Sequence, residues 1–262
     1  MDGVSAVVFR AGVTDRESEL GASLTAVRER LARAAQAAGR DAGEITLLPV
    51  TKFFPASDVR ILHGLGCRDF AESREQEASR KAGELAAEFA DDPVRWHMVG
   101  RIQRNKARAV ARWAYAAHSV DSAKLIAALD RGAADALADG VRVAPLRVYL
   151  QLSLDNDVER GGIDVDRPDL IDELCAAIDS AEALQFVGLM GIPPLGADPA
   201  AAFARLHAEW ERVRRRREET GHEQRLELSA GMSGDLEAAV EHGSTCVRVG
   251  TALMGPRPLT SP

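Results

Sequence analysis

The feature that most constrains this chain is an alternation that runs its whole length. Short apolar runs end at glycine or polar residues, and each is followed by a stretch with helical periodicity. The strand-like runs are Ile45–Val50, Cys67–Ala71, Arg95–Val99, Tyr115–Val120, Arg147–Leu152, Gln185–Met190, Leu226–Ser229 and Cys246–Val249. An Ala/Arg-rich helix over about Arg16–Ala38 precedes them and stops at Gly39. Helices are expected from about Ala56, over Arg74–Phe89 and Gln103–Trp113, after Ser122, after Asp166 with Pro168 in the first turn, over Pro199–Thr220, and over Asp235–His242. Eight β-then-α units favour a single (β/α)8 TIM barrel with an extra N-terminal helix. A doubly wound open sheet stays open as an alternative, because counting units does not reveal closure. No Ser/Gly/Pro-rich linker divides the 262 residues, so the reading is a loose extension over 1–15 and one domain over 16–262.

Composition excludes several functions. The net charge of -7 argues against a nucleic-acid binder, which needs a basic surface. The basic run Arg214–Arg217 is followed by Glu218 and Glu219 and reads as a solvated helix face. Cys67, Cys175 and Cys246 are far apart without CxxC spacing, which suits reduced thiols in a cytoplasmic protein. No apolar run approaches membrane-span length, and Met1–Leu20 lacks the pattern of a secretory signal. The histidines show no metal spacing, and His97 is the one placed to face a site. The polar loop Asp155-Asn156-Asp157 does not read as a calcium loop.

In a βα barrel the site lies at the C-terminal strand ends. Glycines cluster there: Gly100, Gly161-Gly162, Gly191, Gly231-Met232-Ser233-Gly234 and Gly250-Thr251. The last two loops could present backbone N–H groups, with the Ser233 hydroxyl, to a phosphate; they could equally be plain tight turns. Lys52 ends the first strand, in a chain where only four of 33 basic residues are lysines. A lysine can act as an amine nucleophile and arginine cannot. A strand-end lysine in solvent or in a salt bridge is the plainer alternative. Arg248 falls inside the last strand, where a lumen-facing cation must meet an anion, a pyridine nitrogen or a structural carboxylate. Glu72 and Ser73 follow the second strand.

Together these segments resemble the pyridoxal 5′-phosphate (PLP) homeostasis proteins, the YggS/PROSC family, which look like the alanine racemase N-terminal-domain barrel standing alone. The resemblance rests on Leu47-Leu48-Pro49-Val50-Thr51-Lys52, on Trp96-His97-Met98-Val99-Gly100 with Gln103 and Asn105-Lys106, and on Gly188-Leu189-Met190-Gly191-Ile192-Pro193. Its strongest part runs from Leu228-Ser229-Ala230-Gly231-Met232-Ser233-Gly234-Asp235 to Val247-Arg248-Val249-Gly250-Thr251-Ala252. It implies that Lys52 carries PLP as an imine and that Ser233, Gly250 and Thr251 hold the phosphate. Arg248 would contact the cofactor at the ring nitrogen or the phosphate, and Met232 joins the binding set. The chain departs from the family's Gly-Glu-Asn-Tyr at Ala71-Glu72-Ser73-Arg74, so a site Asn is a Ser.

The resemblance further implies a monomeric cytoplasmic carrier that delivers PLP to apoenzymes without turnover. The racemase C-terminal domain, with its Tyr acid–base group, is expected to have no counterpart here, and Tyr115 and Tyr149 read as barrel-body residues. The second reading is a weak PLP-dependent racemase using His97 or Glu72. The third is a cofactor-free barrel binding a phosphorylated metabolite through its last two loops.

Overall fold

A computed structural model describes residues 14–155, 160–222 and 224–257. Its strands are β1 (Thr46–Pro49), β2 (Asp69–Glu72), β3 (Arg95–Met98), β4 (Ala116–Val120), β5 (Leu146–Ser153), β6 (Ile163–Asp164), β7 (Leu184–Gly191), β8 (Glu227–Ser229) and β9 (Cys246–Val249). All pair in parallel in the order β1-β9-β8-β7-β5-β4-β3-β2, and the short β6 adds only to the end of β5. The ring closes between its first and last members through one parallel bridge, Val50 against Ala71, with Thr51 N–H donating to Ala71 O at 3.0 Å. The fold is therefore the (β/α)8 barrel, and the open-sheet alternative falls.

The helices are α1 (Asp15–Ala37), α2 (Ala56–Gly64), α3 (Glu75–Ala86), α4 (Ala107–Trp113), α5 (Ala123–Ala138), α6 (Pro168–Asp179), α7 (Pro199–Glu219), α8 (Leu236–Glu241) and α9 (Thr251–Met254). α1 begins where the Thr14 hydroxyl accepts Glu17 N–H at 3.1 Å, with Asp15 and Glu17 complementing the helix dipole. Its Leu20, Leu24, Val27 and Leu31 follow the 3.6 period and are buried with residues of α2, α8 and β9. Arg16 ties its start to Asp58 of α2 at 2.6 Å and to the Met254 carbonyl at 3.1 Å. A second apolar cluster fills the space under α4 to α7. Parallel strands covered on both faces explain why β4 is buried at every residue.

Several local expectations change. Asp166 does not cap α6; Arg167 holds that position, and the Asp166 carboxylate pairs with Arg205 at 2.5 Å. The helix expected from Gln103 opens with a 3₁₀ turn, Arg104–Lys106, before α4. The run Arg214–Arg217 is only partly a solvated face. Arg214 pairs with exposed Glu218 and Arg216 with the half-buried Asp172, but Arg217 is buried, bonds Asp179 and lies 4.7 Å over the Phe186 ring. The three cysteines are free and buried. The extension expected over 1–15 lies, up to residue 13, outside the described residues, as do Asn156 and Asp157. No helix among the described residues is long and apolar enough to cross a membrane.

Candidate functional site

Strand pleat sends alternate side chains into the barrel lumen, and here the lumen is polar. β9 buries Cys246 and Arg248 there while Val247 and Val249 face the helices. Arg248 is 5% exposed; it donates to Ser229 Oγ at 2.6 Å and to the Gly191 carbonyl at 3.0 Å. No carboxylate pairs with it among the described residues, so the structural ion pair left open above is absent. Burial lowers the proton affinity of this guanidinium.

Ser229 continues a hydrogen-bonded line through the lumen. Its Oγ lies 2.9 Å from His118 Nδ1, His118 Nε2 lies 2.9 Å from His97 Nδ1, and His97 Nε2 lies 3.0 Å from Asp69 Oδ1. Arginine can only donate and an ionised carboxylate can only accept, so Ser229 Oγ accepts from Arg248 at one end of the line and Asp69 accepts from His97 at the other. Burial holds His118 well below its ordinary value, and the charges of His97, Arg248 and Arg147 add to this. Burial opposes ionisation of Asp69, yet hydrogen bonds from His97 and Arg95 bring it down to about 2. Tyr149 stacks on His118 with ring centroids 4.1 Å apart and donates to Glu227.

Lys52 leaves the barrel just past β1. Leu48 is aligned with Arg248 and Pro49 with Val249, so Val50 lies against Gly250 and Lys52 follows two residues on, at the same end of the barrel. Its side chain is exposed and has neither ion pair nor hydrogen bond among the described residues; its ammonium lies 5.8 Å over the Phe53 ring. Phe53 has φ 72°, the one non-glycine positive φ among the described residues. Such backbone costs about 1–3 kcal/mol and persists only when neighbours enforce it. The enforcing neighbour is Glu77, whose Oε1 accepts Phe53 N–H at 2.7 Å. Glu72 is the last residue of β2, at the site end of the barrel, but it is fully buried, and its Oε1 accepts from Thr51 Oγ1 and Lys81 Nζ, each at 2.8 Å. Burial raises its carboxyl, outweighing Lys81.

The loops after β8 and β9 meet each other. Ala252 N–H donates to Ser233 Oγ at 3.2 Å, and Arg30 of α1 donates to the Ser233 carbonyl at 2.6 Å. Met232 is partly exposed, with its N–H on Asp235 Oδ1 at 2.5 Å. Gly231 must be glycine: it has φ 91°, and a Cβ would lie 2.5 Å from that of Ala239. The N–H groups of Ser233, Gly234, Gly250 and Thr251 have no acceptor among the described residues. Four such donors on adjoining loops could receive an anion.

The structure thus puts Lys52, Met232, Ser233, Arg248, Gly250 and Thr251 on neighbouring strand ends β1, β8 and β9. Ser73 stands apart, on a cleft of about 830 Å³ with Phe53, Arg74 and Arg101 that contains none of the six. His97 is a hydrogen-bonded lumen residue rather than a mouth residue.

The family described as "Alanine racemase, N-terminal domain" matches residues 22–258. A pyridoxal phosphate homeostasis protein of Mycobacterium tuberculosis is 59% identical over 254 residues, covering 95% of this chain and 96% of the relative. The chain belongs to the pyridoxal phosphate homeostasis protein family. A Mycobacterium leprae member of that family is 56% identical over 253 residues, again with 95% and 96% coverage. PipY of Synechococcus elongatus PCC7942, a structure with PLP bound, superposes with a TM-score of 0.70 at 33% identity, over 90% of this chain and 100% of that one.

Residues of this family member that sequence reading passed over are Ser229, His118, Lys81 and Glu77. The i, i+4 pair Glu77–Lys81 was a usable helix signal, but its target, the Thr51 carbonyl next to Lys52, lies 30 residues from Lys81 in sequence.

Proposed function

We propose that this protein binds PLP with Lys52 as the covalent anchor and serves as a carrier in PLP homeostasis. The observation that carries the reading is Arg248, a buried cation without a carboxylate, set between the strand of Lys52 and the loops with free N–H groups. An unpaired buried charge is costly, and an anionic or basic ligand atom relieves the cost. The residues fit the cofactor group by group. Among the described residues the amine of Lys52 pairs with no carboxylate. Ser233, Gly250 and Thr251, with Gly234 and the side chain of Met232 beside them, suit the phosphate. Arg248 lies two residues deeper than Gly250, about 6.6 Å along a strand, and so meets the ring while the rim takes the phosphate. The names of the relatives and the PLP in PipY support the same reading.

Bound PLP supplies an aldehyde that an amine can capture and an electron sink for amino-acid chemistry. Racemisation also needs a proton-transfer group on each face. The side chains that could serve as the second are engaged elsewhere. Glu72 is fully buried and held through Oε1 by Thr51 and Lys81, while its Oε2 is enclosed without a partner among the described residues; His97 and His118 are held by the lumen line, and Tyr149 by Glu227. Carriage without turnover follows, with delivery to PLP-dependent apoenzymes in the cytoplasm by a monomer as its working form.

The test is the absorption spectrum with PLP before and after borohydride reduction, for wild type and Lys52→Ala. The expected result is cofactor fixed to the Lys52 peptide in wild type alone, with no amino-acid turnover by the same sample. Unchanged fixation in the variant overturns the Lys52 assignment. No fixation in wild type moves the phosphorylated-metabolite reading forward.

A further inference from the structure

A second lysine lies behind the first in the opposite state. Lys81 of α3 is 1% exposed, and its ammonium spends all three donors: on the Thr51 carbonyl at 2.9 Å, Glu72 Oε1 at 2.8 Å and Glu77 Oε1 at 2.8 Å. The same two carboxylate oxygens grip the turn that carries Lys52. Glu72 Oε1 accepts the Thr51 hydroxyl and Glu77 Oε1 accepts Phe53 N–H, while Thr51 N–H is held by Ala71 O. The residues on either side of Lys52 are thus fixed at four atoms, and Lys52 itself is bonded at none of them. The positive φ of Phe53 is the backbone consequence of that grip.

We infer that Glu72, Lys81 and Glu77 form a positioning clamp for Lys52, in which Lys81 neutralises the two flanking carboxylates so that the Lys52 amine can shed its proton. The inference rests on the reading of Lys52 as the cofactor lysine. Capture of an aldehyde requires the neutral amine. Its lone pair adds to the carbonyl carbon, the ammonium proton having gone to solvent, and water leaves as the C=N bond forms. A carboxylate close to an ammonium favours the charged form and opposes this step. The other cations at this turn are Arg74 and Arg257, 4.9 and 3.7 Å over the Phe53 ring, and Lys52 at 5.8 Å; with Lys81 absent, the charge of Glu72 and Glu77 would act on these three. Lys81 therefore does two things at once: it holds the geometry that aims Lys52, and it consumes the charge that would keep Lys52 protonated. Lys81, Glu72 and Glu77 are positioning residues and touch no cofactor atom in this scheme.

The experiment follows the pH midpoint at which wild type, Lys81→Met and Glu77→Gln form the borohydride-reducible PLP adduct. Circular dichroism on the same samples confirms that each variant is folded. Lys81→Met should raise the midpoint by at least about one pH unit, a tenfold loss of adduct below it. Glu77→Gln removes one flanking negative charge and should lower the midpoint. The triple variant Lys81→Met/Glu72→Gln/Glu77→Gln should bring it back towards wild type, with slower adduct formation from the loosened turn. Opposite shifts for Lys81→Met and Glu77→Gln support the clamp. Shifts of the same sign, or none in folded protein, overturn it and leave the triad as packing. If Lys81→Met does not fold, Glu77→Gln and the triple variant decide alone, by whether the midpoint falls in the first and recovers in the second. A wild type that forms no adduct at all refutes instead the assignment of Lys52.

Discussion

Replacing Arg248 by methionine separates a ligand-binding arginine from a structural one. In the free protein the guanidinium donates to Ser229 Oγ at 2.6 Å and Gly191 O at 3.0 Å, and no carboxylate balances its charge among the described residues. Hydrogen bonds to charged groups contribute about 1.5–3 kcal/mol each, and one left-over carbonyl costs about 1–3 kcal/mol. Against them stands the desolvation of a buried cation, several kcal/mol, which methionine abolishes while filling much of the same volume. Ser229 keeps its bond to His118 in either case. The opposing contributions leave the stability of cofactor-free protein within about 2 kcal/mol of wild type. Binding of PLP has no such compensation. Losing one charge-assisted hydrogen bond to the ring, about 1.5–3 kcal/mol, weakens it about 10- to 100-fold. Urea unfolding of the free protein and spectrophotometric titration with PLP measure the two quantities. A loss of more than about 4 kcal/mol in the free protein with unchanged PLP affinity would refute the reasoning and make Arg248 a structural residue.

Two further outcomes follow from the same geometry. Gly231→Ala should destabilise the protein by about 2–4 kcal/mol, combining a positive φ with a Cβ 2.5 Å from that of Ala239, and should weaken PLP binding through the adjoining Ser233; thermal unfolding and titration check both. The buried neutral His118 makes stability depend on pH. Its folded pKa lies well below 6.5 and the unfolded chain takes up the proton first, so its contribution is complete above about pH 6.5 and is lost as pH falls, at up to about 1.4 kcal/mol per pH unit. Asp69, held at about 2, adds its own loss only below the ordinary carboxylate range, at about pH 4 and lower. Urea midpoints from pH 7.5 to 5 should show the first slope, and His118→Gln should flatten it; an unchanged slope means another group titrates there.

The alternation of apolar runs and helical periods was enough to place eight barrel strands within about two residues and to anticipate α1 to α8, because strand and helix leave different local periods. Lys52 and the Gly231–Gly234 and Gly250–Thr251 loops also stand out locally, since strand ends, scarce lysines and glycine-rich turns are features of neighbouring residues. The four-residue α9 and two-residue β6 escaped because elements that short carry no period. Asp166 was misplaced as a cap by one residue, which only the start of α6 could settle.

What tertiary structure alone decided was which polar groups meet. His118 and Ser229 are 111 residues apart, and Arg248 reaches Gly191 across 57. Sequence parity tells that such side chains point to one face of a strand, but not which strands close the ring or at what depth their side chains align. Lys81 shows the same limit outside the barrel: its helix period says that it is four residues from Glu77, whereas the packing of α3 against β2 and β3 brings it to Thr51. Chain-local interactions write the elements into the sequence. Closure and register convert them into a buried line of hydrogen bonds and a clamped turn, because those depend on distances between residues that the chain itself keeps far apart.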